Sequence, residues 1–144
     1  MADFKDSDPY QITWLVRRLF RSMSKEADNY LEELGISAAE RAVLEFLYPD
    51  KKLSVPQIAE LYSVSRQHVQ VTVNALLARG LLSEEQNPKH KRSQLLTLND
   101  TGRGLFSQVV KKDKDAIRRL FDNVSESEAK RVRTTLNKLL ENLS

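Results

Sequence analysis

The chain has no cysteine, two histidines, four glycines and four prolines in 144 residues. Without a thiol there is no disulfide staple, no thiolate nucleophile and no cysteine-based redox sensing, and two histidines leave too few ligands for a zinc site. No metal and no cofactor are therefore expected. The scarcity of glycine and proline excludes collagen-like and low-complexity chains. No stretch approaches the ~18 consecutive apolar residues of a membrane span. The N-terminal MADFKDSDPY also lacks a cationic segment followed by an apolar one. The expectation is a soluble, cytoplasmic protein with no membrane partner.

What is present is 40% hydrophobic residues, enough to bury a core in a chain of one-domain size. The net charge of +3 is unevenly placed. Residues 1–50 carry 6 basic and 10 acidic side chains, residues 51–100 carry 7 and 4, and residues 101–144 carry 10 and 6. An acidic first third beside two basic ones suggests one surface for a polyanion and another for a different partner.

Most of the sequence has helical periodicity. From Tyr10 to Leu34, apolar residues recur every three or four positions and form one stripe on a long helix ended by Gly35. Ser37 with Glu40 forms a capping-box pattern opening a second helix, which ends near Pro49-Asp50. A third starts at Ser54, with Gln57 three residues on and Pro56 in the first turn, and reaches about Tyr62. Ser65 caps a fourth, which runs to about Arg79 and stops at Gly80. LLSEEQ and SQLLTL, separated by the polar NPKHKR, predict a β-hairpin with a long tip. Asn99 opens a fifth helix, whose inner face holds Leu105, Phe106, Val109, Val110, Ala116, Ile117, Leu120 and Phe121. Ser125 with Glu128 opens a sixth, striped by Ala129, Val132, Leu136, Leu139 and Leu143.

Two short helices joined by a tight turn and followed by a basic hairpin are the layout of a winged helix-turn-helix. The fold class is therefore mainly α with a small β-hairpin wing. Ile58, Leu61, Val64, Val69, Val73 and Leu76 have the spacing to hold the two helices together, with Ala59 small enough for close approach. On a helical wheel this leaves Gln67, Gln70, Val71 and Asn74 pointing outward and His68 on the flank. Glutamine suits paired hydrogen bonds to adenine, and an exposed valine suits a thymine methyl. Ser54, Ser65 and Arg66 stand at helix starts, where phosphate contact is natural. At the hairpin tip Lys89, His90, Lys91 and Arg92 have no acid among them. Arg92 is the candidate for minor-groove insertion and Lys89 and Lys91 for phosphate contact, with Glu84 and Glu85 placed to brace them. Neither His68 nor His90 has a nucleophile or ligand set beside it in the sequence, so no enzymatic activity is expected.

The order of these elements, with the blocks VSRQHV…LLARGLL and NPKHKRSQLLTLNDTGRGLF, resembles the MarR family of bacterial transcription regulators over nearly the whole chain. That family's wing pattern is approximately Asp, any residue, Arg, Ser, then a strand ending in Leu-Thr and a Gly three residues later. Here the run is His90, Lys91, Arg92 and Ser93, then Leu98-Asn99 and Gly102, so the Arg, Ser and Gly match while the Asp and Thr do not. Val71 stands where the family often has Arg. The resemblance implies a single domain over 1–144, with a winged helix-turn-helix DNA-binding lobe at 37–98 and a helical dimerisation region from 8–35 and 100–144. It further implies a homodimer on an inverted-repeat operator in double-stranded DNA, acting as a repressor that a small aromatic or anionic effector relieves. Trp14, Arg17, Arg18 and Tyr48, with Phe20 and Tyr30, are the candidates for an effector pocket. The alternative is an effector-independent winged-helix module with an architectural or protein-binding role.

Overall fold

The computed structural model describes residues 3–144. Six α-helices and one hairpin follow a short 3-10 turn at Phe4–Asp6. The order is α1 (Asp8–Glu33), α2 (Ala38–Leu47), α3 (Val55–Tyr62), α4 (Arg66–Ala78), β1 (Leu82–Glu85), β2 (Leu95–Leu98), α5 (Asp100–Leu120) and α6 (Glu126–Leu143). This is the mainly α architecture with a hairpin wing that the periodicity predicts. The first helix begins two residues earlier than Tyr10 because Ser7 caps it and Pro9 occupies its first turn.

The helix starts are chemically specified. Ser37 with Glu40, Ser54 with Gln57 and Ser125 with Glu128 each form complete capping boxes. Asn99, standing in place of the family's Thr, starts α5: its Oδ1 accepts the Gly102 N–H at 2.9 Å while its Nδ2 donates to the Gly80 carbonyl at 2.7 Å. Gly102 is required by packing, since a Cβ there would collide with the Leu81 carbonyl oxygen. The strands pair antiparallel, from Leu82 opposite Leu98 to Glu85 opposite Leu95, and Leu53 adds a backbone bridge to Leu96.

The chain divides into two compact units, one ending at Val110 and the other spanning Lys111–Ser144. The division differs from the 37–98 against 8–35 and 100–144 split suggested by sequence. Leu31 near the end of α1 and Phe106 and Val109 in the first half of α5 are buried in the same core as Leu44, Leu47, Ile58, Leu76 and Leu98. These ends of the long helices therefore belong to the winged lobe, and α5 runs through the boundary. Leu61 also departs from expectation. It is 60% exposed, because Ile58 and Ala59 are the residues that α3 buries and residue 61 is turned by about 110° from the middle of that pair. In α5 and α6, Ile117, Leu120, Val132, Leu136 and Leu139 are exposed rather than buried within one chain.

One ion pair ties the start of α2 to the end of α4. The Glu40 carboxylate accepts the Ser37 N–H and receives the Arg79 guanidinium at 2.7 Å. Partial burial pushes the Glu40 pKa up, but the Ser37 N–H and Arg79 outweigh it and hold it below the usual carboxylate range. A depressed carboxylate pKa contributes stability that is complete above the unfolded value and lost as pH falls through the folded one. Glu40→Gln should lower stability at neutral pH by about 1 kcal/mol and flatten the acid limb of the stability curve; an unchanged acid limb by urea unfolding would contradict the assignment. Gly102→Ala should lower stability by about 1–3 kcal/mol through the Leu81 clash, whereas a neutral result would show that the start of α5 can shift.

Candidate nucleic-acid interface

The site is built from one buried helix face. Val69, Val73 and Leu76 on α4 are sealed in the core, and α4 packs against both α2 and α3. At about 100° per residue, burying those three side chains turns Gln67, Gln70, Val71 and Asn74 to solvent. All four are exposed, as are Arg66 and His68. Val71 is 65% exposed, an open isopropyl group on an otherwise polar face. The Gln70 amide donates to Asn74 Oδ1 at 2.8 Å, so two candidate base-reading groups are paired with each other one helical turn apart. Ser65 caps the helix by accepting the His68 N–H at 3.0 Å, leaving the N–H groups of Arg66 and Gln67 to point out of the helix start.

The hairpin places its tip beside this face. Arg92 and Ser93 line a cleft of about 500 Å³ with Arg66, Gln67 and Gln70, so the wing arginine and the outward face of α4 share one surface. Lys89, Lys91 and Arg92 are exposed, and no side chain among the described residues pairs with them. Glu85 does not brace them, contrary to expectation; its carboxylate pairs instead with Lys52 at 2.9 Å. The Leu53–Leu96 bridge sets Lys52 beside β2, within reach of Glu85 at the last position of β1. Ser54 also differs from its expected place. It is 4% exposed and engaged in the α3 capping box, so it starts the helix but does not present its hydroxyl on the surface.

Sequence reading missed Asn87. It is 8% exposed in a tip that is otherwise open. Its Oδ1 accepts the Lys89 N–H at 3.0 Å and its carbonyl accepts the His90 N–H at 3.3 Å, and the His90 carbonyl in turn accepts the Ser93 N–H at 3.4 Å. The available signal was the Asn-Pro dipeptide, a turn former whose side chain bonds the backbone two residues on.

The effector candidates are not gathered in one place. Trp14 lies under the guanidinium groups of Arg17 and Arg18, at 5.5 and 5.9 Å from the ring centre, and all three are exposed on α1. Arg17 and Phe20 line a shallow hollow with Arg21, Ser22, Ser24, Lys25 and Asp28 that includes neither Trp14 nor Tyr48. Tyr48 packs against Phe106 at 5.1 Å between ring centres, and the Tyr30 hydroxyl accepts from Arg41 at 3.4 Å. Both tyrosines are held by the lobe's own packing. Among the described residues no three His, Asp or Glu side chains are grouped to hold a metal ion, and no helix is long and apolar enough to cross a membrane.

A model of the MarR family matches residues 34–93, from the end of α1 through the wing tip. The uncharacterised HTH-type transcriptional regulator YkoM of Bacillus subtilis is 30% identical over 121 residues, covering 84% of this chain and 79% of that protein. An uncharacterised protein of Mycobacterium tuberculosis is 33% identical over 91 residues, or 63% of this chain, and the match spans 64% of that protein's length. Among solved structures, the S. aureus MepR–DNA complex superimposes with a TM-score of 0.78 over 90% of this chain and 96% of that one, at 21% identity, a likeness of fold. The family model over the helix-turn-helix and wing, with a relative 30% identical over most of the chain, shows that this chain belongs to the MarR family of transcription regulators.

Proposed function

We propose that this chain is a homodimeric, sequence-specific DNA-binding repressor. α4 enters the major groove of each half of an inverted-repeat operator and the wing reaches the flanking backbone and minor groove. The observation that carries this reading is the shared surface of Gln67, Gln70, Arg66 and Arg92, in which neither arginine has a side-chain partner among the described residues. Gln67, Gln70, Val71 and Asn74 read base edges, His68 contacts the flank, Ser65 and Arg66 meet phosphate at the helix start, and Lys89, Lys91 and Arg92 act from the wing. An effector relieves repression by favouring a dimer whose two recognition helices stand at the wrong separation.

Dimerisation is supported by apolar surface left open in each unit. Ile12, Leu15, Val16, Leu19 and Met23 on α1 are each 41–48% exposed, and Val132, Leu136, Leu139 and Leu143 stripe α6. Rows of this length on two helices exceed what a monomer leaves in water. A second copy of the chain is the partner that covers them in this reading, which also gives the two-fold symmetry an inverted repeat requires.

Two experiments test the proposal. On the duplex the protein selects from a random pool, Arg92→Ala should weaken binding about tenfold for all sequences with an unchanged melting temperature, while Gln67→Ala or Gln70→Ala should lose about 1–3 kcal/mol of preference at particular base pairs. Parental binding by all three would overturn the assignment of this face. Removing residues 130–144, or replacing Leu15 and Leu19 together by glutamate, should give a monomer by sedimentation equilibrium with little remaining operator affinity. A dimer in both cases would contradict the role given to these helices.

A further inference from the structure

A cleft of about 930 Å³ in the winged lobe lies between α3, the start of α4 and the wing tip. Its wall includes Lys52, Ser65, Arg66, Asn87, Lys89 and His90. Glu60 is the one acid on that wall among the described residues, and the Lys52 ammonium is already paired with Glu85. Arg66 and Lys89 carry uncompensated charge, and the start of α4 contributes outward N–H groups and the positive end of a 13-residue helix.

Asn87 makes this more than a helix end. Because its side chain accepts the Lys89 N–H, that end of the amide must be the oxygen, and the other end is the NH2 group. The NH2 has no partner among the described residues, although the residue is more than nine-tenths buried. No side-chain nitrogen or oxygen sealed from solvent lacks a partner. The NH2 therefore retains access to solvent, and Asn87 forms part of the wall of this cleft. An unpaired donor on a largely buried residue held in place by its own oxygen, in the wall of a cleft with two free cations and a helix start, is suited to a tetrahedral oxyanion.

We propose that the cleft is a phosphate seat, with the Asn87 NH2 as its inner donor and Arg66, Lys89 and the start of α4 around it. In the operator complex the seat takes one DNA backbone phosphate; this assignment to DNA rests on the function proposed above. Asn87 then has two roles, its oxygen shaping the wing tip and its nitrogen holding the phosphate that fixes the wing against the duplex.

Asn87→Asp separates the two roles, because it keeps the acceptor for the Lys89 N–H and replaces the donor by a negative oxygen. With the full-length protein and its selected duplex, Asn87→Asp should bind at least about tenfold more weakly and with a salt slope smaller by about one. Neutralising backbone phosphates one at a time as methylphosphonates should reveal one position that weakens the parent protein but has no further effect on Asn87→Asp. Parental affinity for Asn87→Asp would overturn the proposal and leave Asn87 as a loop-shaping residue. If Asn87 variants fail to fold, the same scan with Arg66→Gln decides: coupling to one phosphate supports the seat, and no coupling overturns it. Inorganic phosphate that raises the parent's melting temperature but not that of Asn87→Asp, with no coupled backbone position, would support the seat and overturn its assignment to DNA. Parental binding by Arg92→Ala and Gln67→Ala would instead remove the DNA-facing reading itself, and the phosphate titration alone would then decide the seat.

Discussion

The structure depends on the burial of one side of α4. Val69, Val73 and Leu76 are almost fully withdrawn from water, and truncating a buried leucine such as Leu76 to alanine costs about 2–5 kcal/mol. That is a large part of the about 5–15 kcal/mol that separates folded from unfolded domains. Three anchors at this spacing leave the helix no rotational freedom, so the direction of Gln67, Gln70, Val71 and Asn74 follows from packing against α2 and α3. The polar face is thus presented by the core behind it. Arg79 at the C-terminal end of the same helix adds the ion pair to Glu40, which ties α4 to the start of α2.

Charge and apolar surface are divided along the same lines. The wing leaves Lys89, Lys91 and Arg92 without internal partners, and paired cations would be poorly available to a polyanion. The two glutamates of β1 form no ion pair with the tip cations: Glu85 pairs with Lys52, and Glu84, although it lines the cleft that Arg92 shares with α4, makes no salt bridge to it. The long helices show the opposite economy, with apolar rows on α1 and α6 that the chain itself leaves open. These rows are the surface that the proposed dimer would cover.

The fold was legible because its signals are local. Ser37, Ser54, Ser65 and Ser125 mark helix starts, Gly80 marks the end of α4, and the change from helical to alternating pattern marks the hairpin. The outward face of α4 could be read from the wheel for the same reason. Tertiary choices were less visible. Leu61 has the hydrophobicity of a core residue, but α3 buries Ile58 and Ala59, and the turn of the helix leaves Leu61 outside. Glu85 has the charge to brace the wing tip, but the bridge from Leu53 brings Lys52 to it first. Tyr48 has the character of a pocket residue, yet Phe106 from α5 packs against its ring at a tilt. Asn87 carried its signal in the Asn-Pro pair, but only the folded tip shows that it is buried with one end of its amide unpaired.

The central claim is that α4 and the wing together read a DNA sequence. It is tested most directly by measuring, at one near-physiological salt concentration, the affinity of the protein for the duplex it selects from a random pool and for a scrambled duplex of the same composition. The account predicts a selected sequence with two-fold symmetry that is bound at least about a thousandfold more tightly than the scrambled one. Equal affinity for the two duplexes, or a selection that returns no common sequence, would contradict it.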